Sequence, residues 1–174
     1  MLWLKTLGAA FIVSGFGAYG LMGARSISNR VEQIRDIRLA MGFLEKEISY
    51  LHTPLPLALE RAAQCTPEPA RTLFFECGRT LQDRQGLTTP EAWAQSLEKL
   101  RTVADLKDED LELLRTLSSQ MGMSGVDEQK KLFGLVQEQL KIQEEKARRE
   151  VESGRKIRAY GGFIFGATVV LLLL

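Results

Sequence analysis

The sequence predicts an all-α protein: a single helical bundle of about six helices, flanked at each end by a transmembrane helix. Three observations predict it. Charge is absent from residues 6–24 and again from 159–174, yet recurs every few positions between Arg25 and Arg158. Within that middle block, apolar residues return at intervals of three and four, the spacing of one helix face. Thr-Pro pairs at Thr53-Pro54, Thr66-Pro67 and Thr89-Pro90 punctuate the block with helix-start signals. A threonine hydroxyl caps a helix, and proline tolerates the first helical position. No segment alternates apolar and polar residues between turn signals as a strand does.

The first element is apolar from Leu7 to Ala24, and Leu2, Trp3 and Leu4 extend it if Lys5 snorkels to the interface. A spanning helix needs about 17–25 apolar residues, so residues 1–24 read as an N-terminal transmembrane helix. Residues 159–174 form a shorter apolar run. It crosses if the bilayer thins locally or Ile157 joins it. Lys and Arg mark the cytoplasmic side. Arg25, Arg30, Arg35 and Arg38 follow the first run, and Lys146, Arg148, Arg149, Arg155, Lys156 and Arg158 precede the second. Both sets place residues 25–158 in the cytoplasm and both termini on the opposite side of the cell membrane. A cleaved signal peptide ending near Ala18-Tyr19-Gly20 is opposed by the arginines that follow it. Gly17, Gly20, Gly162 and Gly166 lie in the two apolar runs, where small residues let helix backbones approach closely in lipid. They are the candidate packing positions of the spans.

The middle block then yields its helices in order. Ile34, Ile37, Met41, Leu44, Ile48 and Leu51 form one stripe, on a helix that runs on from the first span without a breaker. Thr53-Pro54 opens a short helix through Leu55, Ala58, Leu59 and Ala62. Thr66-Pro67 opens the next, with Ala70, Leu73, Phe74, Cys77 and Leu81 on one face and a stop at Gly86. Thr89-Pro90 opens a third, carrying Trp93, Leu97 and Leu100. A fifth helix begins near Leu106-Lys107-Asp108 and runs through Leu111, Leu114 and Leu117 to Gly122. Its acidic first turn, Asp108, Glu109 and Asp110, suits the positive end of a helix dipole. The last starts near Ser124, with Asp127 in a capping-box-like position and a stripe of Leu132, Val136, Leu140, Gln143, Ala147 and Val151. Beyond Leu140 it is polar nearly all round, supported by Glu144–Arg148 and Glu145–Arg149 pairs, and reads as a stalk.

Composition narrows the chemistry. Lys and Arg number 23 against 22 Asp and Glu, a formal net charge of +1. A lopsided basic surface is absent, so nucleic acid is not an expected partner. Cys65 and Cys77 fit neither a redox C-x-x-C nor a zinc knuckle and read as two reduced, buried thiols. The only histidine, His52, sits beside the Thr53-Pro54 turn with no second histidine to share a metal. No phosphate-binding loop, dinucleotide fingerprint, metalloprotease motif or serine elbow occurs. The apolar runs hold no carboxylate or histidine that a proton path would need. No catalytic, metal or cofactor residue is therefore expected, and the chain reads as a scaffold and not an enzyme. The candidate partner-binding residues are positions taken as exposed beside the Thr53 turn and at the acidic helix start: Glu45, Glu47, Asp108, Glu109 and Asp110.

Particular runs carry a family resemblance over the whole chain. They are Leu44-Glu45-Lys46-Glu47-Ile48-Ser49-Tyr50, His52-Thr53-Pro54-Leu55 with Ala58, Gly86-Leu87-Thr88, Glu91-Ala92-Trp93, and Gly122 with Asp127-Glu128-Gln129. In these the chain resembles the stage III sporulation protein AB family. The resemblance implies a soluble domain similar to that of the inner-membrane platform proteins of type II secretion and type IV pili. It implies a place in the channel-like complex linking mother cell and forespore during endospore formation, in the mother-cell membrane around the forespore. The partners it implies are the membrane, a secretion-type sporulation ATPase and other subunits of that complex. Secretion platforms usually carry two such domains in one chain. This chain has one, which a homo-oligomer would make up. The rival readings are a membrane tether or adaptor without ATPase contact and, least supported, a membrane-surface enzyme.

Overall fold

Helix-forming stretches separated by proline, glycine and short polar turns dictate the architecture. Among the described residues, the computed structural model holds six α-helices and no strand: α1 Leu2–Ser49, α2 Leu55–Gln64, α3 Ala70–Gln82, α4 Thr89–Val103, α5 Asp108–Ser118 and α6 Val126–Leu173. The structure describes the backbone of residues 2–83, 86–118 and 126–173, and the side chains of 25–83, 86–116 and 131–154. Both expected membrane spans, with Gly17, Gly20, Gly162 and Gly166, lie outside the described side chains, as do Leu117, Gly122 and Ser124. Among the described residues no helix is long and apolar enough to cross a membrane.

The chain divides into two compact units, Arg30–Lys146 and the paired segments Met1–Asn29 with Ala147–Leu174. The first lies within the block expected at 25–158. In the second, the described side chains are those of 25–29 and 147–154.

Within Arg30–Lys146, α2 packs on α3, α3 on α4 and α4 on α5. Glycine sets the closest approach. A Cβ on Gly78 would lie 3.2 Å from both the Leu59 Cβ and the Pro56 carbonyl oxygen, so α2 and α3 meet backbone to backbone. Phe74 and Trp93 meet edge to face, with centroids 6.0 Å apart and planes at 78°, an arrangement worth about 0.5–1.5 kcal/mol beyond area burial. The Trp93 Nε1–H donates to the Leu114 carbonyl at 2.9 Å and ties α4 to α5.

The α1 stripe Ile34, Ile37, Met41 and Leu44 is fully buried, facing a core to which α6 contributes Phe133, Val136 and Leu140. Gln137 Nε2 donates to Glu45, and Arg38 Nε donates to Glu144. Moving along α1 thus means moving backwards along α6. Within this unit the first and last helices are antiparallel neighbours.

Helix boundaries depart from expectation for local reasons. Thr66 caps nothing downstream. Its Oγ1 donates to the Ala62 carbonyl at 2.6 Å, closing α2, and α3 begins only at Ala70. At α4 the cap is Thr88, not Thr89. The Thr88 N–H and hydroxyl both donate to the Glu91 carboxylate at 2.8 Å, the reciprocal half of a capping box.

The α1 stripe stops at Leu44. Ile48 is half-buried and Leu51 is 64% exposed, because the helix ends at Ser49 and the register ends with it. On α3, Leu81 is half-buried. On α6 the core takes Phe133 instead of Leu132, since Phe133, Val136 and Leu140 share one face at offsets of three and four. Cys77 is buried as expected, but Cys65 is exposed, just past the end of α2.

Candidate functional site

Two side-chain clusters mark opposite ends of the α1 segment in the Arg30–Lys146 unit. At one end stands Arg30, which continues the buried stripe of Ile34 and Ile37 one turn back and is only 1% exposed. A buried guanidinium is tolerated only when it is paired and hydrogen-bonded. Arg30 Nε donates to Asp110 Oδ2 at 2.7 Å and Nη2 to Oδ1 at 2.9 Å, a bidentate fork. The same Nη2 donates to Glu109 Oε1 at 3.2 Å, and Lys146 Nζ reaches Glu109 Oε2 at 2.7 Å. Asp110 also accepts the backbone N–H of Lys107, satisfying a donor at the start of α5. Nearby, Gln33 Oε1 accepts the Asp105 N–H, so α1 also holds the turn between α4 and α5. The bond from Lys146 holds the Glu109 carboxyl below the ordinary carboxylate range, outweighing its partial burial, with help from Arg30.

The other cluster lies where α1 turns into α2. Glu47 Oε2 accepts the Thr53 hydroxyl at 2.7 Å and Arg61 Nη1 at 2.8 Å, and the Glu47 carbonyl accepts the Thr53 N–H at 2.9 Å. The Thr53 bond, with Arg61 adding to it, lowers the Glu47 carboxyl below its usual value. Between them His52 adopts φ 53°, a left-handed conformation that costs a non-glycine residue about 1 kcal/mol.

The five candidate partner-binding residues are not one patch. Glu45 and Glu47 lie more than four turns along α1 from Arg30, roughly 22–26 Å at 1.5 Å per residue. Glu109 and Asp110 meet on Arg30 itself. Glu47 and Asp110 correct the expectation of exposure: they are 5% and 1% exposed, because each carboxylate is turned inward to satisfy a cation and a local donor. Glu45 is half-buried against Gln137. Glu109 is partly exposed between Lys146 and Arg30. Asp108 alone is fully presented, its carboxylate 4.0 Å from Arg101.

Glu144 is a further correction. It is 5% exposed and takes the Arg38 bond, so α6 is still packed against α1 one turn beyond Leu140, where a solvated stalk was expected. Arg30, Gln33 and Lys146 carry the cluster, yet sequence reasoning used Arg30 and Lys146 only to orient the membrane. The signal was present: Arg30 stands four residues before Ile34 and Gln33 four before Ile37, on the core face.

An open groove of about 320 Å³ runs between α5 and α6, with Glu109, Glu112, Leu113, Gln139, Ile142 and Gln143 on its walls. Its two carboxylates are already engaged, Glu109 by Lys146 and Glu112 by Arg115. Among the described residues no group of His, Cys, Asp or Glu is placed to hold a metal ion.

What these contacts do is fasten helices. Arg30, Lys146 and Glu109 join three of them at one end, and Glu47 braces the turn at the other. The unit is a charge-braced helical bundle. Comparison gives it a family. The family model described as Stage III sporulation protein AB matches residues 5–174, and the chain belongs to that family. It is 33% identical over 171 residues to Stage III sporulation protein AB of Bacillus subtilis (strain 168), covering 98% of this chain and 99% of that one. A solved structure of Stage III sporulation protein AB matches with a TM-score of 0.67 and 31% identity, covering 71% of this chain and 97% of that one. The chain is a sporulation protein, and its helical bundle is the fold of that relative.

Proposed function

We propose that the chain is a non-enzymatic membrane platform in a secretion-like channel complex between mother cell and forespore, coupling a cytoplasmic ATPase to membrane subunits. The observation that carries this reading is the ionic knot of Arg30, Asp110, Glu109 and Lys146. It sits where the chain enters and leaves the Arg30–Lys146 unit, in sequence beside the basic segments that border each uncharged run on its inner side. A body that receives a push must not shear where its chain enters and leaves. Buried, bidentate charge pairs fix geometry in that way.

Family membership supports the sporulation setting. The uncharged runs at 6–24 and 159–174, each bordered inward by arginines and lysines, support the membrane and a cytoplasmic orientation of the bundle. Asp108, Glu109 and Glu45 remain as acidic contacts for partner subunits. Gly17, Gly20, Gly162 and Gly166 are the positions at which spans of this or neighbouring subunits pack. The test is co-purification of the sporulation ATPase with the full chain from sporulating membranes, alongside cysteine-accessibility mapping. The reading requires that residues 25–158 be reached only from the cytoplasm and that the ATPase be retained. A body labelled from the other side, or an ATPase that never associates, overturns it.

A further inference from the structure

The apolar face of α1 repeats itself. Ile27, Ile34, Met41 and Ile48 stand seven residues apart, and so do Ile37, Leu44 and Leu51. These are the two apolar columns of a heptad, the pattern by which one helix packs lengthwise on another. Of them Ile34, Ile37, Met41 and Leu44 are fully buried. Such a face is degenerate along its axis. Slide α1 by one heptad, and Ile34 stands where Met41 stood, with the core still meeting apolar side chains. Because α1 is a single helix from Leu2 to Ser49, that slide carries all of it about 10 Å along its own axis.

What breaks the degeneracy is polar and buried. One heptad before Ile37, in the same column, stands Arg30 with its fork closed on Asp110. One heptad before Ala40 stands Gln33, which accepts the Asp105 N–H at 2.8 Å. One heptad after Ala40 stands Glu47, held by Thr53 and Arg61. All three are buried. A slide toward the C-terminal end of α1 puts Arg30 in the site of Ile37 and Gln33 in that of Ala40. A slide the other way puts Glu47 in the site of Ala40 and leaves Asp110 without its cation. Either slide strands a charge out of water, which is strongly unfavourable. A single polar residue on a heptad face selects one register in this way. We infer that Arg30 and Gln33 are register stops against one slide and Glu47 against the other, and that α1 without Arg30 and Gln33 takes a second register one heptad away. These stops fix how much of α1 stands ahead of the unit, whether or not the chain couples an ATPase.

The test is disulfide trapping in the full chain in lipid nanodiscs, with the linked peptides read by mass spectrometry. Gly42 faces Gln137, whose Oε1 lies 3.2 Å from where a Gly42 Cβ would be, so Gly42→Cys with Gln137→Cys reports the observed register. Arg35→Cys with Gln137→Cys reports a slide of one heptad toward the C-terminal end, and Ser49→Cys with Gln137→Cys the opposite slide. All reporter chains carry Cys65→Ser, and Glu144→Gln to take the Arg38 bond out of the comparison. With Arg30, Gln33 and Asp110 in place, only the 42–137 link is expected. Arg30→Met, Gln33→Ala and Asp110→Leu together are expected to raise the 35–137 link at least about tenfold, at the expense of 42–137 and with no 49–137 link. A triple variant that still forms only the 42–137 link overturns the stops, and so does one that gains 49–137 instead. A triple variant that forms none of the links has lost its fold and not its register, which overturns them equally.

Discussion

Arg30 and Asp110 form a buried bidentate pair, with side chains 2% and 1% exposed, between residues eighty positions apart. The pair is the centre of a four-residue network, and its energetics are asymmetric. Removing one partner strands the other charge, whereas removing both leaves an apolar gap. Arg30→Met is therefore expected to destabilise the bundle by about 3–5 kcal/mol. Adding Asp110→Leu recovers part of that loss, since no uncompensated charge remains buried. Urea denaturation followed by circular dichroism on the two variants checks the order.

Acid should loosen the turn and the α4 cap. The Glu47 carboxyl is lowered by the Thr53 and Arg61 bonds, and Glu91 by the Thr88 backbone N–H and then its hydroxyl. A carboxyl with a depressed folded-state pKa stabilises fully above its unfolded value, and that stability fades as pH falls through the folded value. Unfolded glutamate titrates near pH 4.3 or so, which places the loss below about that pH. The melting temperature is expected to fall from there downward. Glu47→Gln makes the curve shallower, because that proton no longer distinguishes folded from unfolded chain. An unaltered slope in Glu47→Gln counts against the assignment.

The cysteines should behave oppositely. Burial pushes the Cys77 thiol up to about 12, with only partial relief from Ser96, and Cys65 is exposed. Thiolate is the reactive species, so at about pH 8 iodoacetamide is expected to label Cys65 alone in the native protein. Both react after denaturation, and mass spectrometry of the labelled peptides reads the result.

Two glycines make a matched pair. Gly78→Ala places a methyl 3.2 Å from Leu59 Cβ and the Pro56 carbonyl oxygen, and the backbone there cannot step aside freely. Overpacking of that kind costs about 1–3 kcal/mol. Gly134→Ala meets nothing within 4 Å on α6 and gains up to about 1 kcal/mol of helix propensity. Opposite shifts in melting temperature are expected from the two substitutions.

The fold was legible because its signals are local and repeated. The stripes over Ile34–Leu44, Ala70–Cys77 and Trp93–Leu100 needed only helix periodicity, and all their apolar members are buried. Helix starts other than that of α3 were legible to within a residue or two. Thr66 misled because a threonine hydroxyl can equally bond four residues back and close the preceding helix. The candidate site was less readable. Whether Glu47 and Asp110 face solvent depends on cations 14 and 80 residues away, and periodicity on one helix does not report such partners. Arg30 was hidden for the opposite reason: its position beside an apolar run suggested a membrane role, while its place on the core face went unused.

The antiparallel pairing of α1 with α6 also bears on how the polypeptide is born. Glu45 must await Gln137, and Arg38 must await Glu144, which follows it by 106 residues. At about 5–20 residues per second of synthesis, that interval is roughly 5–20 s. Throughout it the sticky flank of Ile34, Ile37, Met41 and Leu44 emerges from the ribosome ahead of the last helix that will shelter it. Nascent chains stalled before residue 137 should therefore recruit holdase chaperones, and those released after residue 146 should not.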